Sequence, residues 1–490
     1  MGEDLALFPV EFNGSLKVEA RAERLSGEAG AVILREVIER LGIGRFLADR
    51  IEDPRNQDLL THPLVELLQT ELLMLGQGWH DRDDADALRD DPVMRLAVSE
   101  RRGITPLLSP GLPEGEPKPK NPRVPDGLAS QPTLSRLGRS LATDENRAVL
   151  REALLVTAAR RIKAERGGHR MRYVTIDVDS LPVEVEGHQE GSEYNGHYHA
   201  RIFHPLVASI GETGDLLDLR LRRGNAHTAE GALDFILPLL DRVETELCQV
   251  ASVRIDAGFP EEKLLFGMEE RRKWTPYVAR VKNNPILDRM AEPYLRRPPG
   301  RPPEEPRTWF YEMTYMAESW SRPRRVVLVV QERPDELFLH HFWLITNWDE
   351  SQMPADELLE LYRDRGAAEG HFGELMSVLA PALSSSPRQK SHYRGKSPGT
   401  KIAPGDGFAQ NEVILLVNAL AYNVAHAARV LVETATGEGW SLMRVRERLL
   451  RVAARVLVHG RRAILVINEV SARLWSALWS RLAAMRFVEG

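Results

Sequence analysis

The 490-residue sequence contains a single cysteine, Cys248. One cysteine excludes intramolecular disulfide bonds and every zinc site built from several thiolates. Any bound metal must therefore be held by oxygen atoms or imidazole nitrogens. The sequence also lacks a run of about 18 uncharged apolar residues and a basic-then-apolar signal at its start, so we expect a cytoplasmic protein without a membrane span.

Net positive charge is also lacking, since the sequence contains 65 Lys and Arg residues and 71 Asp and Glu residues. The basic residues are unevenly distributed, with 18 basic and 10 acidic side chains in residues 361–490 against 47 and 61 in residues 1–360. This basic C-terminal quarter predicts an electropositive surface that faces phosphate. Solvated helix faces rich in arginine would give the same count.

The pattern of apolar residues predicts a mixed α/β core with helical regions on both sides. RYVTIDVDSLPVEV alternates with period two, as strands do, and GALDFILPLLDRVETEL repeats with the period of a helix. SLMRVRERLLRVAARVLV, near the C-terminus, also predicts a helix. The expected organisation is a helical N-terminal region (1–165) with a Pro/Gly-rich loop (101–128), a core in two parts (166–286 and 350–383), a β-rich insertion between them (287–349) and a helical C-terminal region (384–490).

Two aspartates lie two residues apart in the first core strand. Asp177 and Asp179 therefore project from the same face of that strand. Two like charges on a buried strand are costly unless a cation or hydrogen bonds neutralise them. The pair is a candidate metal site; the alternative is that one or both aspartates lie at the solvent end of the strand.

A third aspartate, Asp256, ends the strand VRIDAGF and is followed by a glycine turn at Gly258. Ligand sites in open α/β sheets tend to lie outside the carboxyl ends of the strands. Asp before Gly is also an ordinary turn, so this residue alone decides little.

The predicted helix after the insertion carries Tyr362, Arg365 and Glu369, which are spaced i, i+3 and i+7 and so share one face. A glutamate there is suited to ligate a metal, while the arginine and tyrosine are suited to bind phosphate oxygens. A solvated salt-bridge face is the alternative. Converging carboxylates on rigid elements are what two-metal cleavage of a phosphodiester needs.

Six segments in the same order resemble bacterial insertion-sequence DD(E) transposases, most closely the insertion sequence 1380 family within the insertion sequence 4 group. They are LSGEAGAVILREV, HDRDDADALRDDP, LASQPTLSRL, DVDSLPVEVEGHQEGSEYNGHYH, RIDAGFPEEKLLFGMEE and the signature Y-x-x-R-x-x-x-E-x-x-x-x-x-x-K. Tyr362, Arg365 and Glu369 match that signature, but Met376 stands at its lysine position.

The resemblance implies an RNase H-like core and cut-and-paste transposition of DNA. It makes Asp256 and Glu369 catalytic metal ligands, and its Asp-x-Thr/Ser pattern fits Asp179 best, with Asp177 as the fallback. The expected cofactor is Mg²⁺, with Mn²⁺ as a substitute. The expected partner is double-stranded DNA, both the terminal inverted repeats and the target, bound by a homodimer in the synaptic complex of a bacterial, nucleoid-associated protein.

DNA contacts are predicted mainly from basic residues. Lys390 or Arg394 would replace the cation lost at Met376, and four arginines spaced i, i+4, i+7 and i+11 would follow a DNA backbone from one helix. The complete predicted set is Tyr362, Arg365, Lys390, Arg394, Arg444, Arg448, Arg451 and Arg455. Recognition of the end sequence is expected in the helical N-terminal region.

Other conspicuous residues are interpreted structurally. His188, His197, His199 and His204 are expected to be structural histidines rather than zinc ligands. Trp309 and Trp320 are expected in core packing rather than in stacking on a flipped base. Two other functions remain open: a decayed or domesticated DNA-binding protein, and another RNase H-like nuclease.

Overall fold

The chain forms two compact units in a computed structural model. The first unit comprises Met1–Ala48, Asp53–Leu137 and Ala427–Ala484, and the second comprises Asp49–Glu52, Gly138–His426 and Met485–Gly490. The structure describes residues 8–9, 11–13, 15–18, 23–101, 105–107, 127–167, 171–297, 299, 304–334, 336–385 and 406–485. Most of the predicted loop at 101–128 lies outside the described residues.

The strands, in chain order, are β1 (Phe8–Pro9), β2 (Lys17–Val18), β3 (Leu25–Ser26), β4 (Tyr173–Ser180), β5 (Val183–Glu184), β6 (Glu193–Asn195), β7 (Ala200–Phe203), β8 (Leu206–Ile210), β9 (Leu216–Arg220), β10 (Gln249–Ile255), β11 (Tyr277–Val281), β12 (Arg307–Tyr315), β13 (Arg324–Glu332), β14 (His340–Thr346), β15 (Ala454–His459) and β16 (Arg462–Ile467).

The α-helices are α1 (Ala31–Arg40), α2 (Ile43–Arg50), α3 (Leu64–Gln77), α4 (Asp84–Ala87), α5 (Pro92–Val98), α6 (Gln131–Ser140), α7 (Asp144–Glu165), α8 (Ala232–Glu246), α9 (Glu262–Glu269), α10 (Pro285–Ala291), α11 (Ala355–Arg363), α12 (Gly366–Glu374), α13 (Asp406–Thr436), α14 (Leu442–Val445) and α15 (Glu469–Ala484). Short 3₁₀ segments occupy Gln57–Leu59 and Glu292–Tyr294, and π-helical turns occupy Leu375–Leu379 and Arg446–Leu450.

A mixed sheet dominates the second unit, with its strands in the order β12-β13-β14-β11-β10-β4-β8-β9. β10 runs parallel to β4 and β11 parallel to β10, whereas the other neighbours are antiparallel. The prediction of a mixed α/β core is thus confirmed. Strands β12 to β14 extend this same sheet, because β14 pairs with β11. The predicted domain boundaries stay predictions.

Period-two alternation gives β4 two different faces. Val174, Ile176 and Val178 belong to the large buried core that also contains residues of α8 and α9. Asp177 and Asp179 therefore point to the opposite face, on which Leu358 and Leu359 of α11 pack against neighbouring strands. The polar residues of β4 thus lie on the α11 side of the sheet.

Helix α13 covers the edge of the sheet at β9. The side chain of Asn423 accepts from the Leu216 backbone N–H at 2.9 Å and donates to its carbonyl at 2.8 Å. Glu412 accepts from the Leu221 N–H at 3.1 Å. α13 is long and apolar enough to span a membrane, but 89% of its most apolar window is buried, as in the core helix of a folded protein.

The first unit contains helices α1, α3 and α5, which pack on one another, and a small sheet in the order β16-β15-β3. In the N-terminal region predicted to be helical, the described residues form helices α1 to α7 and the short strands β1 to β3. The prediction of one helix through SLMRVRERLLRVAARVLV is wrong, because the helical residues end at Leu450 and a β-hairpin of β15 and β16 follows. Alternating burial along ARVLVH and a turn at Gly460, whose φ is 56°, favour the hairpin.

Candidate active site

Asp179 and Asp256 lie at the carboxyl ends of two adjacent parallel strands. Val178 of β4 is level with Ile255 of β10, so the next residue on each strand is one of these aspartates. Burial raises the pKa of Asp179 to about 6, and the nearby carboxylates of Asp256 and Glu369 add to the rise. Three of the four acidic residues singled out from the sequence, Asp179, Asp256 and Glu369, therefore act on one another electrostatically.

Asp177 lies deeper in the same face and is held by a different residue. Arg254, its lateral neighbour on β10, donates from Nε and Nη2 to the two carboxylate oxygens, each at 2.6 Å. Both side chains are almost fully buried, and Arg254 Nη1 also donates to the Leu361 carbonyl at 3.0 Å. Asp177 thus joins β4, β10 and the end of α11 through one buried ion pair.

Arg365 connects two of the three clustered carboxylates. Its Nη2 donates to Asp179 Oδ2 at 2.6 Å and its Nη1 to Glu369 Oε1 at 2.9 Å. The remaining Asp179 oxygen, Oδ1, accepts from the Ser180 N–H at 2.8 Å. Arg365 is 9% exposed, whereas the Glu369 side chain is 62% exposed. A buried guanidinium therefore lies between an enclosed aspartate and a glutamate open to solvent.

A break interrupts the single helix predicted for Tyr362, Arg365 and Glu369, but the three residues still lie close together, because Arg365 donates to Glu369 and both charges act on Tyr362. α11 ends at Arg363 and α12 begins at Gly366, and the Arg365 N–H donates to the Tyr362 carbonyl at 3.2 Å in a tighter turn. Gly366 and the following small residues permit this break. Arg365 thereby points to Asp179 while Glu369 remains on α12.

Two tyrosines flank the cluster. Burial raises the pKa of the Tyr362 phenol, and the charges of Asp256 and Glu369 add to this while Arg365 opposes it. Burial also raises the pKa of Tyr198, with further contributions from Asp179 and Asp256. Tyr198 was not among the residues predicted from the sequence, in which its one signal is its place between His197 and His199 in the GHYH segment.

The arrangement fits a divalent metal in its donors but not in its present geometry. Asp179, Asp256 and Glu369 supply hard oxygens, which Mg²⁺ and Mn²⁺ prefer. Within the described ranges, however, no three His, Cys, Asp or Glu side chains are close enough together to hold a metal ion. The guanidinium of Arg365 lies between two of the proposed ligands. A bound metal would require Arg365 to leave at least one of them.

The predicted DNA-binding arginines do not share one helix face. Arg444 is on α14 and stacks 4.0 Å from the Trp440 ring, and Arg451 lies after the helical turn, 5.6 Å from the Trp79 ring. Arg448 is exposed in the π-helical turn, and Arg455 is on β15. The prediction of one helix face for these arginines is therefore wrong. Lys390 and Arg394 lie outside the described residues.

His204 and the two tryptophans have structural contacts. His204 Nδ1 lies 3.0 Å from the Ala226 carbonyl oxygen, and its burial lowers its pKa. Trp320 is buried in the core beside Tyr315, and Trp309 packs against the same core. Core packing of both tryptophans is thus confirmed. His188, His197 and His199 lie in exposed or half-exposed segments around β6.

The comparison with family models defines the class. Residues 8–392 match the model of a transposase DDE domain, so this chain is a transposase of the DDE class, an enzyme class that uses divalent metals. In particular, it belongs to the family described as "Transposase DDE domain group 1". DNA transposition and recombination by a mobile element are the processes that this family serves.

Comparison with solved structures finds the cryo-EM structure of a piggyBac transposase synaptic complex with hairpin DNA. Sequence identity is 10% and the TM-score 0.37, with 93% of this chain and 81% of that chain covered. No curated protein matches the sequence. Because the TM-score is below 0.5, the assignment rests on the family match and not on this likeness.

Proposed function

We propose that this transposase cleaves DNA at the terminal inverted repeats of its own element and joins the freed ends to target DNA. The observation that carries the proposal is that Asp179 and Asp256 lie at the carboxyl ends of adjacent parallel strands and that Arg365 connects Asp179 to Glu369 of α12. A homodimer would hold both ends in the synaptic complex. The six ordered motifs favour the insertion sequence 1380 family, and the order β9-β8-β4-β10-β11 supports an RNase H-like core.

Each residue of the cluster has a proposed part. Asp179, Asp256 and Glu369 would hold Mg²⁺, or Mn²⁺ in its place, and the metal would activate the attacking oxygen and stabilise the leaving one. Asp177 is assigned to the fold rather than to the metal, because both of its oxygens are bound by Arg254. Asp179 is therefore the first aspartate of the triad.

Arg365 and Tyr362 are proposed to contact the DNA backbone. Guanidinium groups bind phosphate and carboxylate in the same two-pronged geometry, so a phosphate is a suitable alternative acceptor for Arg365. Entry of the DNA end would draw Arg365 off Asp179 and Glu369 and free their oxygens. Tyr362, next to the cluster, would donate to the same phosphate region.

The test is cleavage of DNA that carries the ends of the element, with Mg²⁺ and with excess chelator. Asp179→Asn, Asp256→Asn and Glu369→Gln should each reduce the cleavage rate by at least about a thousandfold while retaining binding of the ends. Asp364→Asn, an exposed carboxyl next to Arg365, is the matched control and should cleave normally. Normal cleavage by Glu369→Gln, or full activity in chelator, would refute the proposal.

A DNA-binding protein without chemistry is the second candidate. It is favoured by the position of Arg365 between Asp179 and Glu369 and by Met376 at the signature lysine position. This candidate predicts tight binding of the ends without cleavage in either metal. The same assay therefore separates the two functions.

A further inference from the structure

The C-terminal hairpin of the first unit leaves one strand unpaired on its outer side. In the sheet order β16-β15-β3, β16 lies at an edge, and within the described part of the chain no other strand pairs with it there. The Thr105 N–H donates to the Arg461 carbonyl at 3.3 Å, but this contact is at the turn and not along the strand. An unpaired edge is a template for another strand.

The turn determines which backbone groups point outward. His459 pairs with Arg462 across the two-residue turn of Gly460 and Arg461, and only Gly460 has a positive φ, as in a type II′ turn. The pair that flanks such a turn is hydrogen-bonded, and bonded pairs then alternate along the ladder. The outward N–H and C=O groups are therefore those of Ala463, Leu465 and Ile467.

This edge lacks the features that keep strands apart. β16 reads RAILVI, with no proline, and its only charge is at the first residue. The face beside it is open, with Leu457, Ile464 and Val466 39%, 52% and 44% exposed at its centre and Arg455, His459 and Arg462 around them. By contrast, β12 at the edge of the large sheet carries the charged residues Arg307 and Glu312.

The strand is also complementary to itself. If two copies run antiparallel about a twofold axis at Leu465, the outward groups of Ala463 face those of Ile467, and Leu465 faces its own copy. Ile464 then lies beside Val466 of the second copy on the same open face. The basic turn at Arg461 approaches Glu469 of the second copy, so the charges at the two ends match.

We propose that β16 pairs with β16 of a second copy of this chain to form a continuous six-stranded sheet across a homodimer. Such a contact uses the same surface on both copies and closes the assembly at two. The proposed dimer rests on the proposed function in one respect, which is that a transposase must bring two DNA ends together. The contact uses none of the clustered carboxylates, so it forms without DNA and without metal.

Light scattering after gel filtration, at tens of micromolar protein without DNA, tests the proposal. The wild type should have the mass of two chains, and Leu465→Pro should have the mass of one, because proline removes an outward N–H and spares the ladder with β15. Leu465→Val, the control, should remain dimeric. A monomeric wild type, or a Leu465→Pro dimer with an unchanged circular dichroism spectrum, would overturn the proposal.

Disulfide trapping tests the register and does not depend on the folding of the proline variant. In a Cys248→Ser background, Ile464→Cys with Val466→Cys should form a linked dimer on mild oxidation, since residues directly opposite in a non-hydrogen-bonded pair have Cα atoms about 4.5 Å apart. Ile464→Cys alone should stay unlinked. The register at Leu465 would be refuted if Ile464→Cys alone formed as much linked dimer as the double variant, or if the double variant formed none.

The same samples keep this inference separate from the proposed function. Asp256→Asn should dimerise like the wild type although it does not cleave DNA. A monomer that cleaves DNA would refute the β16 contact and leave the proposed function intact. If added DNA or residues 108–126 occupied this edge instead, the double-cysteine variant would not cross-link, which also refutes the contact.

Discussion

Asp177 and Asp179 illustrate what a single strand can and cannot reveal. Their common face follows from period two, and the structure confirms it. Their different surroundings do not follow from the strand. Arg254, which binds Asp177, lies 77 residues further along the chain, and Arg365, which binds Asp179, lies 186 residues further. Candidate acidic residues were therefore predictable from the sequence, whereas the division between a buried ion pair and an accessible cluster required the fold.

The buried ion pair predicts a stability effect. Asp177→Ala should lower the free energy of unfolding by about 3–5 kcal/mol, because it leaves the Arg254 guanidinium buried without its counter-charge. Urea denaturation of the variant and of Asp364→Ala, whose effect should stay below about 0.5 kcal/mol, checks this. If Asp177→Ala were fully stable but unable to cleave, Asp177 would be a metal ligand after all.

The position of Arg365 predicts competition with metal. In Arg365→Gln, Mn²⁺ measured by calorimetry without DNA should bind at least about tenfold more tightly than in the wild type, a change of about 1.4 kcal/mol. The reason is that a neutral amide no longer competes with the metal for Asp179 and Glu369. Arg363→Gln, an exposed neighbour, should bind Mn²⁺ as the wild type does. Weaker binding by Arg365→Gln would contradict the competition.

His62 in the first unit predicts a pH dependence. Burial lowers its pKa from 6.5 to about 4, and the charges of Arg89 and Arg55 add to this. The folded protein therefore favours the neutral ring. Its free energy of unfolding is highest above pH 6.5, falls as the pH drops from 6.5 towards 4, and has lost the whole contribution of His62 below pH 4. The loss amounts to about 3 kcal/mol. His62→Gln should flatten the decline in unfolding free energy over this range, whereas exposed His188→Gln should leave it unchanged.

At the scale of the element, α12 is weak on its own and depends on its surroundings. Gly366, Gly370 and Gly373 occupy three of its nine positions, and each costs about 1 kcal/mol relative to alanine. His371 anchors the helix, since its Nδ1 lies 3.2 Å from the Tyr422 hydroxyl and its ring packs on Gly214. The position of Glu369 therefore depends on contacts behind its helix.

Two glycine variants test this dependence in opposite directions. Gly370→Ala should raise the free energy of unfolding by about 0.5–1 kcal/mol, because its new Cβ meets no atom within 4 Å. Gly214→Ala should lower it and should speed amide hydrogen exchange in α12, since φ is +79° and the Cβ would lie 2.5 Å from His371 Nε2. Equal exchange in both variants would show that His371 does not anchor the helix.

The C-terminal hairpin was missed for a specific reason. Arginines at helical spacing from 444 to 455 suggested one long helix, but residues 454–459 also alternate with period two. In so short a segment the two periods compete, and tertiary pairing with Leu25 and Ser26 decides between them. Strands β4 and β10 of the large sheet, which have eight and seven residues against the six of β15, were predictable from their own residues.

At the scale of the whole molecule, the basic residues of the C-terminal quarter are spread over several elements. Their contribution to DNA binding should therefore differ from residue to residue. Arg448→Ala should flatten the log–log dependence of DNA affinity on salt by up to about 0.9, the value for one phosphate contact. Arg451→Ala, which removes a guanidinium stacked beside Trp79, should change it less. If Arg448→Ala left the slope unchanged, Arg448 would not contact a phosphate.

The coverage of α13 over β9 has a consequence for how such a protein can be shortened. The family match stops at residue 392, but Glu412 and Asn423 beyond it supply the hydrogen bonds that close the sheet at Leu216 and Leu221. The matched segment is therefore shorter than the stretch whose contacts complete the sheet. Gene copies truncated after the matched segment would yield an open-edged sheet prone to aggregate, and not a competitor that binds DNA and blocks the intact enzyme.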